Sequence, residues 1–257
     1  MNPTAPEPLI EMQNVTVSAM RDDSFVVLKN VDWKVAPGEF WVLGGPQYSG
    51  KTDLLMLAAG LVSPVEGSCR WMGMENVSTG DARLADRLRM GLVFQGGQLF
   101  NRMSIAENVA LPIRYRDDLE PDRVAPEVAG LLDAMELSFC AGSSPMQVAA
   151  NWRSRVALAR ALILKPEILL LDNPLSGLGG RHRAWWQDFL DQLWKGHPWL
   201  DNRPLTLVVT ADDFGPWQSS SRRFALLHDG RFQNLGSWMD VARSSHPALP
   251  ELLPETP

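Results

Sequence analysis

The chain has 257 residues, 45% hydrophobic and 21% charged, with a formal net charge of −6. That is enough apolar material for one sizeable core, or a core with a small lobe, and the acidic balance argues against a dedicated nucleic-acid binder, which carries a basic face. Its only two cysteines, Cys69 and Cys140, are far apart and form neither a disulfide framework nor a thiolate metal site.

The start, "MNPTAPEPLI", is Pro-rich and expected to be loose, and it lacks the basic region and apolar stretch of a secretory signal. "LIEMQNVTV" alternates apolar and polar residues and reads as a strand. "FVVLKNVDWKVAPGEFWVLGG" reads as two or three strands with a turn at Pro37-Gly38. A helix, "KTDLLMLAAGL", follows the glycines. Residues 65–95 hold further short strands and a polar segment, ending in the strand "MGLVF". Residues 97–155 read as helices broken at Pro112, Pro121 and Pro145. Then come the helix "SRVALARALIL", the strand "EILLLD" and the amphipathic helix "RHRAWWQDFLDQLW". On the last of these, Trp185, Trp186, Phe189, Leu190, Leu193 and Trp194 recur at helical spacing, a stripe suited to core packing or to a partner surface. "LTLVVTAD" and "RRFALLHDGRF" are two more strand candidates. The tail "HPALPELLPETP" is expected to be disordered.

Strands alternating with helices imply a mostly parallel sheet, with the helical stretch at 97–155 as an inserted lobe. The longest apolar candidate for a membrane span, "VALARALILKPEILLL", is broken by Arg160, Lys165 and Pro166. The chain is therefore expected to be soluble and cytoplasmic, with any membrane link running through a partner. His182, His197, His228 and His246 show no metal-ligand spacing and are expected at the surface.

One segment matches a phosphate-binding pattern. In "GGPQYSGKT", Gly45, Pro46, Gln47, Tyr48, Ser49, Gly50, Lys51 and Thr52 fit G-x-x-x-x-G-K-[ST], after the strand "FWVL" and before a helix. Backbone N–H groups and the helix N-terminus there surround phosphates, Lys51 neutralises the β- and γ-phosphates, and Thr52 brings a hydroxyl to Mg²⁺. Tyr48 is a discordant residue: if its position needs positive φ, the strain is about 1–3 kcal/mol. Downstream, "ILLLDNPLSGL" places Asp172 at the end of a buried strand, where such proteins hold Mg²⁺, and follows it with Asn173.

The order of "GPQYSGKT", "GLVFQGGQLF", "SRVALARALILKPEILLLDNP" and "LTLVVTADD" resembles the ATP-binding subunits of ABC transporters over about residues 8–240. Within that family, "MGLVFQGGQLFNRMSIAENVALPIR" looks most like the Mla-type subunits that serve lipid transport with MCE-domain proteins. The resemblance implies an α/β fold: a P-loop NTPase (RecA-like) core, a helical subdomain at about 97–155 and a small antiparallel β-subdomain, followed by the Pro-rich tail 241–257. It implies ATP and Mg²⁺ as cofactors and a head-to-tail dimer, with itself or a second subunit, beneath a membrane permease. It implies that Gln95 approaches Mg²⁺ together with Thr52 and Asp172, and that residues 98–103 help receive the permease, with an ordinary helix start on the smaller lobe as the alternative reading of that segment.

Several positions depart from the family pattern. Asn173 stands where the resemblance implies a catalytic glutamate, and a neutral amide cannot accept the proton of water. Ala211 stands where a histidine is implied. The LSGGQ-type signature is replaced by Val148-Ala149-Ala150-Asn151-Trp152, which removes a hydroxyl and two close-approach glycines. Gly179 replaces the aspartate of a SALD-like loop. Phe25 is a candidate for stacking on adenine, with a core strand residue as the alternative. Trp152 can fill space that nucleotide would use. Three readings follow: a subunit that binds ATP-Mg but hydrolyses it poorly or not at all, a scaffold that binds no nucleotide, and an ATPase whose acid is displaced to Asp212 or Asp213.

Overall fold

The alternating segment near the N-terminus builds β1 (Ile10–Ala19), with Ile10, Met12, Val15 and Val17 buried. It pairs antiparallel with β2 (Asp22–Val35) on one side and β4 (Glu66–Trp71) on the other, and β5 (Met74–Glu75) finishes that edge. This is the small antiparallel region. The computed structural model describes residues 7–20, 22–75, 87–219 and 221–253; the expected loose start at 1–6 and the last four tail residues lie outside these.

The strands β3 (Phe40–Gly44), β6 (Met90–Val93), β7 (Ile168–Leu171), β8 (Thr206–Ala211) and β9 (Arg223–His228) run parallel, in the order β9-β3-β8-β7-β6. The stretch "RRFALLHDGRF" is a hairpin: β9 turns at Asp229-Gly230, both at positive φ, into β10 (Arg231–Gly236). Positive φ at both turn residues matches the right-handed twist of the flanking strands. β10 lies beside β2 and joins the two regions, so that the ten strands among the described residues form one sheet.

Two apolar layers sandwich the parallel strands. Phe40, Val42, Leu169, Leu171, Leu207 and Val209 face one cluster, and their neighbours Trp41, Leu43, Ile168, Leu170 and Val208 face the other. The period-two alternation with both sets buried is what makes these strands read as continuous apolar runs. α1 (Lys51–Ala58) packs with the second cluster.

The inserted lobe consists of α2 (Ile105–Asp117), α3 (Pro121–Ala134) and α4 (Ala150–Leu162). Ser104 and Glu107 form a capping box that starts α2. Pro121 begins α3 and Pro145 begins a short 3₁₀ turn, as their fixed φ favours. The expected break at Pro112 is absent: Pro112 lies inside α2, as Pro126 lies inside α3. Burial of Ile105, Val109 and Ile113 on one face of α2 holds that helix through the lost backbone donor.

α5 (Gly180–Lys195) buries Trp186, Phe189, Leu190 and Leu193 against the sheet. The aromatic stripe is thus mainly core, with Trp185 half-buried and stacked on Phe189 at 4.7 Å. The expectation of a disordered tail is corrected over its described part. After α6 (Trp238–Arg243), Ala248, Leu249 and Leu252 are buried, and the Phe214 N–H donates to the Leu252 carbonyl at 2.7 Å. Their apolar side chains find the main cluster, which offsets the ordering cost that composition alone suggests. No helix among the described residues is long and apolar enough to cross a membrane.

Candidate functional site

β3 delivers the chain to a loop, and the loop opens into α1. A Cβ on Gly45 would lie 2.4 Å from the Leu227 carbonyl oxygen and 2.5 Å from Ser49 Oγ, so only glycine fits there. Gly50 sits at φ 88 and Tyr48 at φ 63, and the loop needs the left-handed region at both. The strain foreseen for Tyr48 is therefore present. Its side chain is 98% exposed and, like that of Gln47, projects away from the loop interior.

The first backbone bond of α1 runs from Leu54 N–H to the Gly50 carbonyl, which leaves the N–H groups of Lys51, Thr52 and Asp53 without helical acceptors. Ser49 Oγ is buried without a partner. Lys51, 9% exposed at its side chain, donates from Nζ to the Gly45 and Pro46 carbonyls at 2.5 and 2.8 Å and pairs with Asp212 Oδ1 at 3.1 Å. Free donors and a buried ammonium around one concave loop fit a polyphosphate.

Beside the loop, the ends of β7 and β8 meet. Asp172 is buried; its Oδ2 accepts from Thr52 Oγ1 at 3.0 Å and its Oδ1 from Thr210 Oγ1 at 2.9 Å. A hydroxyl and a carboxylate at the mouth of a phosphate loop are the oxygen donors that Mg²⁺ takes alongside phosphate and water. Thr52 and Asp172 are thus brought together as the sequence implied. Gln95 has an exposed side chain, and its Nε2 donates to Ser176 Oγ at 3.1 Å. Asn173, at φ 45, donates from its backbone N–H to Thr210 Oγ1 at 2.8 Å and from Nδ2 to Asp212 Oδ2 at 2.6 Å. Ala211 is buried at the end of β8 and offers no polar group to this site.

Residues 148–152, where the resemblance implied a signature motif, lie at the start of α4. Val148 is buried, Ala149 is the helix N-cap without a side-chain cap, and Ala149 and Ala150 are exposed. Asn151 Nδ2 approaches His182 Nε2 at 2.5 Å, and the Trp152 ring meets those of His182 and Phe139 at 5.2 and 5.0 Å. Arg155, almost wholly buried, lies 3.6 Å from the Trp185 ring and 4.5 Å from the Trp152 ring, and pairs with Glu136 at 3.0 Å. Asn151 and Trp152 are therefore engaged within the chain. His182, expected at the surface, is half-buried in this cluster; desolvation, then the charges of Arg155 and Arg181, push its pKa below the ordinary histidine value.

Gly179 is the N-cap of α5 and has no side chain to cap it. Phe25 is 63% exposed on β2, so its alternative reading as a core residue fails. Val26 and Val27, next in the strand, line a cavity at the β9–β10 turn, and Val27 is against Gly50 of the phosphate loop. Sequence reasoning missed Thr210 and Arg155. Thr210 had a signal, a hydroxyl at the end of a buried strand beside Asp172. Arg155 had none, being one arginine among several on an ordinary helix.

A family model described as ABC transporter matches residues 28–176. The chain is 33% identical over 228 residues to the spermidine/putrescine import ATP-binding protein PotA of Pseudomonas aeruginosa (strain UCBPP-PA14), covering 89% of this chain and 59% of that protein. It is 33% identical over 242 residues to the sulfate/thiosulfate import ATP-binding protein CysA of Pectobacterium atrosepticum, covering 93% of this chain and 69% of that one. Among solved structures, the dimeric post-hydrolysis state of the ATP-binding cassette MJ0796 bound to ADP and Pi superposes with a TM-score of 0.75 at 28% identity, covering 88% of this chain and 98% of that one. The chain spans only 59% of the length of the PotA relative.

Proposed function

Because this chain belongs to the ABC transporter family, we propose that it is an ATP-binding subunit that closes on ATP-Mg, turns it over slowly and passes the closure to a membrane permease. The observation that carries the reading is the phosphate loop itself. Lys51 is buried at its centre, and Thr52 is hydrogen-bonded to Asp172 across the strand ends. Bound ATP-Mg supplies the terminal phosphate to be transferred to water. Lys51 and the α1 amides hold the phosphates, Thr52 and Asp172 hold the cation, and Phe25 offers an exposed ring to the base.

Slow turnover follows from the groups that are missing where the family resemblance places them. Asn173 cannot act as a base and Ala211 offers no polar contact, so the proton acceptor is at best displaced; complete loss of a general base costs about 10²–10⁴-fold, which bounds the slowing. The signature segment has lost its hydroxyl and glycines and is packed against Arg155 and His182. In a head-to-tail pair, such a segment grips a partner's nucleotide weakly. Binding then shifts the pair towards closure by its differential affinity for the closed state.

For the permease contact, the helical lobe is the surface we propose. α2 and α3 line an apolar cavity of about 410 Å³ with Ala106, Ala110, Val124, Val128 and Leu132. Residues 98–103 are tied to the same lobe through Asn108, which bonds both backbone groups of Phe100. The relatives PotA and CysA are named as import proteins, and an importer is the coupling proposed here. The Mla-type, lipid-carrying reading with an MCE-domain partner rests on residues 90–114 alone, and the names of these relatives lend it no support.

Calorimetric titration of Mg-ATP into the purified chain, beside Lys51→Ala, tests the reading. Binding by the parent that falls at least tenfold in Lys51→Ala supports it. Equal absence of binding in both makes the chain a scaffold, a role that the engagement of Lys51 by Asp212 and two carbonyls would then explain.

A further inference from the structure

We infer that Asp212 is the acid of this phosphate site: its carboxylate takes the proton of the attacking water, and Asn173 is the residue that positions it. The inference rests on the reading that the loop binds ATP-Mg. Asp212 follows the last residue of β8, at the carboxyl edge where open α/β sheets bind their ligands. Its Oδ2 accepts from Asn173 Nδ2 at 2.6 Å, and its Oδ1 lies 3.1 Å from Lys51 Nζ. One carboxylate is thus bonded both to the amide at the end of β7 and to the ammonium that marks where the terminal phosphates are held.

The neighbouring carboxylates are committed elsewhere. Asp213 Oδ1 accepts from the Gly215 N–H at 2.7 Å and serves the turn after β8. Asp172 has Thr52 on one oxygen and Thr210 on the other, and it is buried. Asp212, in contrast, is 48% exposed at its side chain, whereas Lys51 beneath it is 9% exposed, so the carboxylate faces the side open to water. Asn173 can donate a hydrogen bond but cannot take a proton. By donating to Oδ2 it fixes the carboxylate without adding a second negative charge beside the phosphates.

The ion pair with Lys51 is then the resting state. Phosphate oxygens replace Asp212 on the ammonium, and the released Oδ1 becomes the proton acceptor. As water oxygen bonds to the terminal phosphorus, the bond from that phosphorus to the β–γ bridging oxygen breaks and its electron pair leaves with ADP. The water proton passes to Asp212, which returns it to phosphate or solvent. No other reactant is required.

The arrangement separates binding from turnover in a single substitution. Mg-ATP affinity and phosphate release are measured on the purified parent, Asp212→Asn, Asp212→Glu, Asn173→Ala and Lys51→Ala. Asp212→Asn is expected to bind ATP-Mg as tightly as the parent or several-fold more tightly, because Lys51 loses its internal counter-ion, while turnover falls about 100-fold or more. Asn173→Ala lowers kcat with affinity unchanged, and Asp212→Glu restores part of the turnover. The inference is overturned if Asp212→Asn keeps the parent's turnover, or if its affinity and turnover fall together, as a structural loss would make them. A parent that binds ATP-Mg but releases no more phosphate than Lys51→Ala overturns this inference and leaves the binding reading standing. Absence of binding in the parent and in Asp212→Asn removes both.

Discussion

Thr210 joins the two strand ends that frame the site: its Oγ1 donates to Asp172 Oδ1 at 2.9 Å and accepts from the Asn173 N–H at 2.8 Å. One buried hydroxyl thereby aims the carboxylate of β7 at Thr52 and sets the chain leaving it. Replacing it with the near-isosteric valine leaves a buried carboxylate oxygen and a backbone N–H without their partner. Thr210→Val is expected to lower stability by about 1–3 kcal/mol. Urea unfolding reads the change, and calorimetry is expected to show weaker Mg-ATP binding than in the parent.

Tyr48 is held at φ 63 with its ring in solvent. The left-handed region costs a residue with a Cβ about 1–2 kcal/mol, and glycine gives back about 0.4–1 kcal/mol through the freedom of the unfolded chain. Tyr48→Gly is therefore expected to raise the urea midpoint slightly and to leave Mg-ATP affinity intact. A clear loss of affinity shows instead that the exposed ring contacts the nucleotide.

α4 begins at Ala149, whose side chain cannot cap the first turn. A serine there accepts from a free N–H of that turn and adds about 1 kcal/mol. Ala149→Ser is expected to raise the unfolding free energy by that amount, read from urea unfolding. On the proposed function it also gives the exposed start of α4 a hydroxyl that a partner's nucleotide can use, so an ATP-dependent pair, measured by light scattering, is expected to become easier to populate.

His182 faces Asn151, Trp152, Arg155 and Arg181, with Glu136 beyond Arg155. Desolvation and the two arginines depress its pKa in the folded chain, whereas the unfolded value is about 6.5. Across the window between the folded and unfolded values the unfolded state binds more protons, so this stability is full above about pH 6.5 and declines as pH falls towards the folded value. Burial of His197 acts with the same sign. His182→Gln is expected to flatten the stability profile below about pH 6.5 relative to the parent, read from thermal midpoints across pH.

Burial pushes the Cys69 thiol up to about 12. Thiolate is the reactive form, so a maleimide at neutral pH is expected to leave Cys69 unlabelled in the folded chain and to label it at the rate of unfolding. Fast labelling in native buffer would show that β4 opens readily.

The local code was enough for the central strands and for the loop from Gly45 to Thr52. The apolar runs at 40–44, 168–171 and 206–211 became central parallel strands because a strand buried on both faces needs nothing else. The spacing from Gly45 to Thr52 was legible because the loop is built from consecutive backbone groups. Asp172 was legible because it ends a strand. The residue types at 173, 211 and 148–152 were also read directly from the chain.

Only the tertiary structure decided what those side chains meet. Asn173 and Asp212 are 39 residues apart in sequence, and adjacency of β7 and β8 brings their side chains to 2.6 Å. Of the two candidate acids, the turn after β8 claims Asp213 and leaves Asp212 over Lys51. His182 and the tail residues Leu249 and Leu252 look like surface residues from composition, yet packing against α4 and the main core covers them. Pro112 looks like a helix stop, yet the buried face of α2 outweighs one missing hydrogen bond. Backbone conformation and apolar period are local quantities that a sequence states directly. Which side chains meet across strand ends depends on sheet order and register, which are set only when the whole core is assembled.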